Sequence, residues 1–393
     1  MMFERRLVQT VYRRRNLLAA AAMATLAACA VVPKGPVTGP AAPTPTPAPT
    51  QSELPNDAQR HRVALLVPMS GANGAVGQSI ANAASMALMD TNAKNLRITN
   101  YDTAAGASAA AARAIMDGNQ LILGPLLADD IPAVAAAARQ GKVPLISFSN
   151  DESAAGRDVW VMGSLPGDSV RRTVRFARSR GVGTFGALVP KGEYGERASQ
   201  ALIAETRAAG GNVMAMESYD RSSTSITAAA NKLRTRGPFD AILIADSGSL
   251  SARAAGVLKP RGVASPRLLG TELWSGEKAV TTMPALSGAW FAAVSDSRFP
   301  QFVKSYRTRF AAQPYRIATL GYDAVLLTLR VARDWKPGRA FPTTALTSSE
   351  GFLGLDGAFR FGKNGVIDRA LEVREVGGGA VKVVSPAPTK FGN

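Results

Sequence analysis

From His61 onward the chain alternates short apolar runs with longer Ala-rich stretches. His61 to Val67 (HRVALLV) reads as a strand, the loop Pro68-Met69-Ser70-Gly71 follows, and Ala75 to Asp90 has helical composition. Leu96 to Tyr101 is the next predicted strand and Ala107 to Asp117 an Ala-rich helix. Leu121 to Leu123 is a short buried strand running into Gly124-Pro125, Ile131 to Gln140 a helix, and Val143 to Phe148 a strand. Strands and helices alternating at this spacing predict a parallel sheet covered by helices on both faces.

The pattern then restarts. Helices are predicted over Ser169–Arg180, Gly195–Ala209, Ser223–Arg234 and Leu250–Leu258. Strands are predicted over Thr184–Val189, Asn212–Tyr219, Asp240–Ala245 and Arg267–Gly270. This is a second doubly wound unit without close sequence repetition of the first. After Gly288 come two successive helices, Phe299–Ala311 and Ile317–Asp334, and then a β-rich tail. In that tail the Gly377-Gly378-Gly379 run between Ala370–Val376 and Val381–Val384 marks a hairpin turn.

The N-terminus follows other rules. Arg5, Arg6, Arg13, Arg14 and Arg15 precede a twelve-residue apolar run, Leu17–Ala28. A membrane-spanning helix needs roughly 20 such residues, so residues 1–28 read as a targeting segment. Its end, Leu26-Ala27-Ala28-Cys29, resembles the lipobox of bacterial lipoproteins, in which the thiol takes the lipid and becomes the new N-terminus. Arg14-Arg15-Asn16-Leu17-Leu18 also resembles a twin-arginine export signal, so the export route stays open. Residues 29–60 carry the lipidated Cys and a tether with eight prolines, from Pro33 to Pro55. Such a segment favours polyproline II and, fully extended, reaches roughly 90 Å.

Charge and composition narrow the chemistry. The formal charge is +17; removing the five arginines and one glutamate of residues 1–28 leaves +17 − 4 = +13, so the body itself is basic. With one Cys and one His, no internal disulfide and no Cys/His metal site can form. No cofactor is expected, His-based acid–base chemistry would have to use His61, and the export signal argues against nucleic acid as a partner. His61, between Arg60 and Arg62, reads as a solvent-edge residue. Ser275-Gly276-Glu277-Lys278 matches the Ser-x-x-Lys of penicillin-binding enzymes, but the Ser-Asp-Asn and Lys-Thr-Gly elements that chemistry requires do not occur. Arg171, Arg175 and Arg178 share one predicted helix face. That face is either solvated or a docking surface for an acidic partner.

An ordered set of short motifs resembles type I periplasmic binding proteins of the leucine-binding kind. It comprises Val63–Gly71 with Gly77-Gln78, Tyr101-Asp102-Thr103, Leu123–Leu126, Val143–Asn150, Glu193-Tyr194-Gly195, Gly270-Thr271-Glu272, Gly321–Ala324, and Phe352-x-Gly354-x-x-Gly357 with Phe361 and Gly365. Together with the lipobox, the chain resembles most the penicillin-binding-protein activator lipoproteins of that superfamily. Some members carry an N-terminal helical repeat domain; the tether leaves no room for one, and any activity residing there is expected to be missing. The resemblance implies two α/β lobes and a hinge crossed three times. Lobe I would take residues 61–165 with 295–335, and lobe II residues 166–288 with 340–385. Crossings would fall near Leu165-Pro166-Gly167, near Trp290–Val294, and between about Arg339 and Leu355.

The resemblance also places ligands between the lobes, with Ser70, Gly124, Ser149, Asp151, Tyr194, Asp246 and Glu272 as cleft candidates. By composition alone Ser70 also reads as a residue that caps or turns its loop. Two positions depart from the amino-acid-binding pattern. Ala128 stands where relatives carry a hydroxyl after Gly-Pro-x-x, and Asp151 stands where another hydroxyl is expected, its charge opposing a ligand carboxylate. The implied function is therefore a non-enzymatic periplasmic lipoprotein of the outer membrane that regulates cell-wall synthesis by binding a peptidoglycan synthase (a penicillin-binding protein) or peptidoglycan itself. The other reading is the ligand-binding receptor of an ABC importer for amino acids or related small solutes.

Lipidation gives the first expected outcome. Cys29→Ser should release the protein to the soluble periplasmic fraction or leave it an unprocessed precursor, as read by fractionation and mass. A normally processed, membrane-bound Cys29→Ser protein would show that the lipobox reading is wrong.

Overall fold

The computed structural model describes residues 59–259 and 265–391. The targeting segment, Cys29 and nearly all of the tether lie outside the described residues. Among the described residues no helix is long and apolar enough to cross a membrane.

Two parallel sheets carry the fold. The first has the order β2-β1-β3-β4-β5, built from β1 (His61–Val67), β2 (Leu96–Asp102), β3 (Leu121–Leu123), β4 (Leu145–Ser147) and β5 (Val159–Val161). The second contains β6 (Thr184–Pro190), β7 (Asn212–Tyr219), β8 (Ala241–Ile244), β9 (Arg267–Gly270) and β10 (Trp290–Ala293), and it repeats that order as β7-β6-β8-β9-β10. Two antiparallel strands, β14 (Glu372–Gly377) and β15 (Ala380–Ser385), extend it beyond β10. The architecture is thus the expected pair of doubly wound α/β lobes. β5 and β10, which close each parallel set, were not distinguished by pattern: each has only three or four residues flanked by loops.

Burial explains the continuous apolar runs. Along β1, Val63, Leu65 and Val67 face one core while Ala64 and Leu66 face another on the opposite side of the sheet. β6 does the same in the second lobe, with Leu188 on one face and Phe185, Ala187 and Val189 on the other. A strand covered on both faces keeps no polar positions to alternate with.

The lobe boundary differs from expectation in one place. A small antiparallel sheet, β11 (Phe352–Gly354), β12 (Gly357–Phe361) and β13 (Ile367–Arg369), was expected in lobe II. Phe341, Leu346, Phe359, Phe361 and Ile367 instead share the lobe I core with Trp160 and Val161, and Val161 bridges Val366. The chain passes into the second lobe only between Ile367 and Leu371, because the Trp160–Phe361 ring contact at 5.5 Å holds the hairpin on β5. The other two passages lie between Leu165 and Val170 and between Ala293 and Phe299. His61 is also not at the solvent edge. It is 2% exposed and stacks on Trp335 with ring centroids 4.0 Å apart. Burial lowers its pKa, which favours the neutral ring in this contact.

Each lobe makes one unusually close approach. A Cβ on Gly77 would lie 1.8 Å from the carbonyl oxygen of Pro68, and one on Gly195 would lie 1.7 Å from that of Pro190. Both glycines sit in the helix that follows the first strand of their lobe, Gly74–Thr91 and Glu193–Ala208. Gly195→Ala should therefore cost about 1–3 kcal/mol or more, as other overpacked sites do. Gly256, in the middle of the Gly248–Leu258 helix with nothing within 4 Å, is the control. Gly256→Ala should be neutral or stabilising by up to about 1 kcal/mol. Denaturant unfolding of the two variants checks the contrast.

Candidate functional site

The seven cleft candidates separate into two groups. Ser70, Gly124, Ser149 and Asp151 lie on the loops after the first-lobe strands, and local structure occupies all four. Ser70 donates to Asp102 at 2.9 Å, and Asp102 also accepts from the backbone of Met69 and Ala104. Those bonds, led by Met69, hold the Asp102 carboxyl below its usual range, so Ser70 closes a turn. Gly124 is needed because a Cβ there would meet the Leu66 oxygen at 2.1 Å. Ser149 is buried and its hydroxyl accepts from Asp151 N at 3.1 Å.

Asp151 departs from expectation most. Its carboxylate does not stand free to repel a ligand: Arg197, on the Glu193–Ala208 helix of the other lobe, pairs with it at 2.8 Å. Asp151 also accepts from Ser153 N and Oγ, capping a short helix. The two side chains are 15% and 16% exposed, so the pair is a partly shielded strap between the lobes.

The second-lobe candidates converge. Tyr194 donates to Glu272 at 3.0 Å and bonds Thr271 at 2.9 Å, while Arg221 lies 5.3 Å from its ring. Burial, reinforced by Glu272, pushes the Tyr194 hydroxyl well above its ordinary pKa, so it stays a donor. Asp246 follows β8, is 3% exposed, and accepts from Tyr219 at 2.8 Å with Arg221 at 3.4 Å. Trp274 Nε1 donates to the backbone oxygen of Asp246 at 3.0 Å, which fixes the loop bearing Glu272.

Of these seven residues only Glu272 lines the cavity that lies between the lobes at the hinge, about 450 Å³ in volume. Its apolar wall includes Leu126, Leu127, Phe148, Leu165, Ile317 and Leu320. Its polar wall includes Asp168, Arg316, Asp356 and Arg369, none of which was singled out from the sequence. Within Val366–Leu371 Arg369 stands beside Asp368, a pattern that a solvated arginine shows equally. Asp168 lies within the first passage between the lobes, in the first turn of the Pro166–Ser179 helix. Glu272 Oε2 is buried without a hydrogen-bond partner. Burial raises Glu272 from 4.5 to about 7 and Asp168 from 3.8 to about 6.

The arginine face makes bonds within its own lobe while Arg175 stays exposed. Arg175 holds Glu205 through Nε at 2.6 Å and Nη2 at 3.1 Å. Arg178 donates to the carbonyls of Val182, Ala209 and Gly210, and Arg171 pairs with Asp168. These residues fasten their helix to its neighbour in a lobe where loop carbonyls need donors. The Ser-x-x-Lys match dissolves in three dimensions. Ser275 is extended at φ −67° and ψ 120°, and Lys278 starts a separate short helix, so the pair shares no helical turn.

Comparison with known proteins agrees with this geometry. The sequence profile of the family described as "Periplasmic binding protein" matches residues 61–380, and the chain belongs to that family. Membership implies a periplasmic location. The chain is similar to a putative branched-chain amino acid ABC transporter protein from Rhodospirillum rubrum, at 21% identity and TM-score 0.73, over 83% of this chain and 100% of that one. It is also similar to the C-domain of LpoA from Haemophilus influenzae, described as a regulator of PBP1A, at 17% identity and TM-score 0.65, over 82% and 99% of the two chains. At these identities the likeness shows the fold alone. A curated relative, an uncharacterized protein of Rickettsia prowazekii, is 25% identical over 142 residues. That match spans 36% of this chain and 38% of the relative's length.

The raised carboxyls predict a pH dependence. A folded pKa above the unfolded value means that the native state holds more protons, so stability falls as pH rises between the two values. For Glu272 that window runs from about 4.5 to about 7. Glu272→Gln keeps an acceptor for Tyr194 and removes the ionisation. It should flatten the fall in Tm across this window and add roughly 2 kcal/mol at pH 8. Melting curves of both proteins from pH 4 to pH 8 measure the difference.

Proposed function

We propose that this protein is a non-enzymatic periplasmic lipoprotein that regulates cell-wall synthesis by docking its two-lobed body on a peptidoglycan synthase. Cys29 would anchor it to the outer membrane, since Ala30 rather than Asp follows the lipidated residue. The proline-rich segment would let the body work at a distance from the lipid surface.

The observation that carries this reading is the Asp151–Arg197 pair. It occupies a position where an amino-acid receptor would offer a hydroxyl to a ligand carboxylate, and it joins the two lobes through the protein's own side chains. With Ala128 also unable to donate, two grips for a free α-carboxylate are missing. A binding-protein body whose lobes are strapped together by its own residues suits a protein–protein role better than cycles of solute capture and release. The likeness to the C-domain of LpoA supports the same direction.

The receptor reading, a solute-binding component of an ABC importer, draws on a different observation. The hinge cavity persists, lined by both lobes and carrying unpartnered buried polar atoms.

Capture from detergent-solubilised envelope, with the lipidated protein as bait and mass-spectrometric identification, distinguishes the two. A peptidoglycan synthase should co-purify, and Cys29→Ser bait should recover less of it from intact cells after cross-linking. Recovery of an importer permease without a synthase would overturn the proposal.

A further inference from the structure

The parallel strands of the first lobe begin at the end away from the cleft, and the chain enters the body there, at His61. The His61 amide donates to the Asn95 carbonyl at 2.8 Å, and the His61 ring stacks on Trp335. Trp335 Nε1 in turn donates to the carbonyl of Arg339 at 2.7 Å. These contacts hold the start of β1, the loop before β2 and the loop after the Thr319–Val331 helix side by side. A groove beside them is lined by Lys94, Asn95, Leu326, Leu329, Arg330 and Arg333.

This end of lobe I is basic without counter-charge. Lys94, Arg330, Arg333, Lys336 and Arg339 are exposed, and among the described residues none of these side chains has a hydrogen bond or ion pair. Arg60, Arg62 and Arg97 add further cations at the starts of β1 and β2. The acids nearby offset little of this. Asp334 is exposed on the same loop, but Asp90 is taken by Arg309 at 2.6 Å and by Tyr322 at 3.0 Å, and Asp117 accepts from Tyr101 at 2.8 Å. A helix dipole accounts for Arg330, which lies in the last turn of its helix, but that effect fades beyond the final turn. Arg333, Lys336 and Arg339 follow the helix end, and Lys94 stands in a loop. Lobe II treats its cations differently: Arg175, Lys191, Lys232 and Arg236 each face a carboxylate. Like charges gathered on one face repel one another, and an anionic surface relieves that repulsion.

We propose that this end of lobe I is a docking face for the anionic phospholipid surface to which Cys29 would hold the chain. Two observations select that occupant. The tether enters the body among these cations, 32 positions after Cys29, so this face is the part of the body nearest the lipid along the chain. The cations are also spread over two loops and a helix end rather than converging on one point, which suits an array of headgroup phosphates. Docked in this way, the C-terminal strand ends and the cleft face away from the lipid, and the tether lets the body leave again. The choice of a lipid surface rests on the reading of Cys29 as lipidated; the basic face does not.

The test uses the mature protein in its unlipidated Cys29→Ser form, so that no acyl chain contributes, and reads co-flotation with vesicles. Vesicles of phosphatidylglycerol and phosphatidylethanolamine should retain the protein at low salt and release it as salt screens the field. Phosphatidylcholine vesicles should not retain it. Lys94→Gln, Arg330→Gln and Arg333→Gln together should weaken retention about a hundredfold, at about fivefold for each cation near an anionic surface. Arg207→Gln, Arg234→Gln and Arg253→Gln remove the same charge from exposed positions of lobe II and should weaken it less than about threefold, since the attraction falls off within a Debye length. The vesicle comparison on the unsubstituted face decides the matter even where a triple variant does not fold. No retention by the phosphatidylglycerol vesicles, equal retention by phosphatidylcholine, or equal losses in the two folded triple variants would each overturn the docking face. Retention on isolated peptidoglycan without retention on vesicles would assign the cations to a wall polymer and overturn it as well. The vesicle readout needs neither the acyl chain nor a synthase, so its failure leaves lipidation and synthase capture standing, and theirs leaves it standing.

Discussion

The structure depends on how closely a helix can lie against the end of a strand. In each lobe a proline at or just past the end of the first strand meets the following helix at a glycine through its carbonyl oxygen, Pro68 against Gly77 and Pro190 against Gly195. A side chain at either glycine would push the helix away by more than its neighbours could absorb. That approach brings the start of each helix to the C-terminal edge of its sheet, where the lobes face one another. Tyr194, one residue before Gly195, is thereby set against Thr271 and Glu272 on the loop after β9. Arg197, two residues after it, is carried to Asp151 of the other lobe. One backbone contact thus positions both the second-lobe cluster and the strap across the cleft.

The hinge is held by charge rather than by apolar packing alone. Arg374 on β14 is 2% exposed and bonds Glu372, Asp296 and the carbonyl of Val294. Asp296 in turn meets Arg316, and Arg316 meets Asp356. This relay links the second and third passages of the chain between the lobes. Removing one partner from such a buried relay leaves an uncompensated charge, a loss of about 3–5 kcal/mol. Gly354 belongs to the same arrangement: a Cβ there would lie 2.5 Å from the Asp323 carboxyl, which must reach the amides of Leu355 and Asp356. The network leaves the hinge rigid on one side and, at Arg369, incompletely satisfied on the other.

Much of the fold was legible because its signals are local. HRVALLV at β1, Asn212–Tyr219 at β7 and Ser223–Arg234 have the boundaries that pattern alone assigns. The site was less legible. Glu272 was found because it follows a recognisable Gly-Thr pair, and it does line the cavity. Ser70, Ser149 and Asp151 had the right residue types on the right loops, but each is occupied by a neighbour that lies within a few residues, on an adjacent strand end, or across the cleft. Arg369 and Arg316 went unmarked because nothing in their immediate sequence tells a buried arginine from a solvated one.

What the chain determines by itself is the order of strands and helices, the two-lobed α/β class, and the glycines and prolines at the strand ends. These follow from burial periodicity and backbone sterics, which act over a few residues and leave a trace in composition. Tertiary structure decides which charged groups meet. Asp151 and Arg197 are 46 positions apart, Arg374 and Asp296 are 78, and the hairpin containing Arg369 joins lobe I through a ring contact between Trp160 and Phe361. Electrostatic pairing depends on distance and on exclusion of water, both of which are set only when the lobes come together. The cleft's chemistry is therefore a property of the assembled hinge.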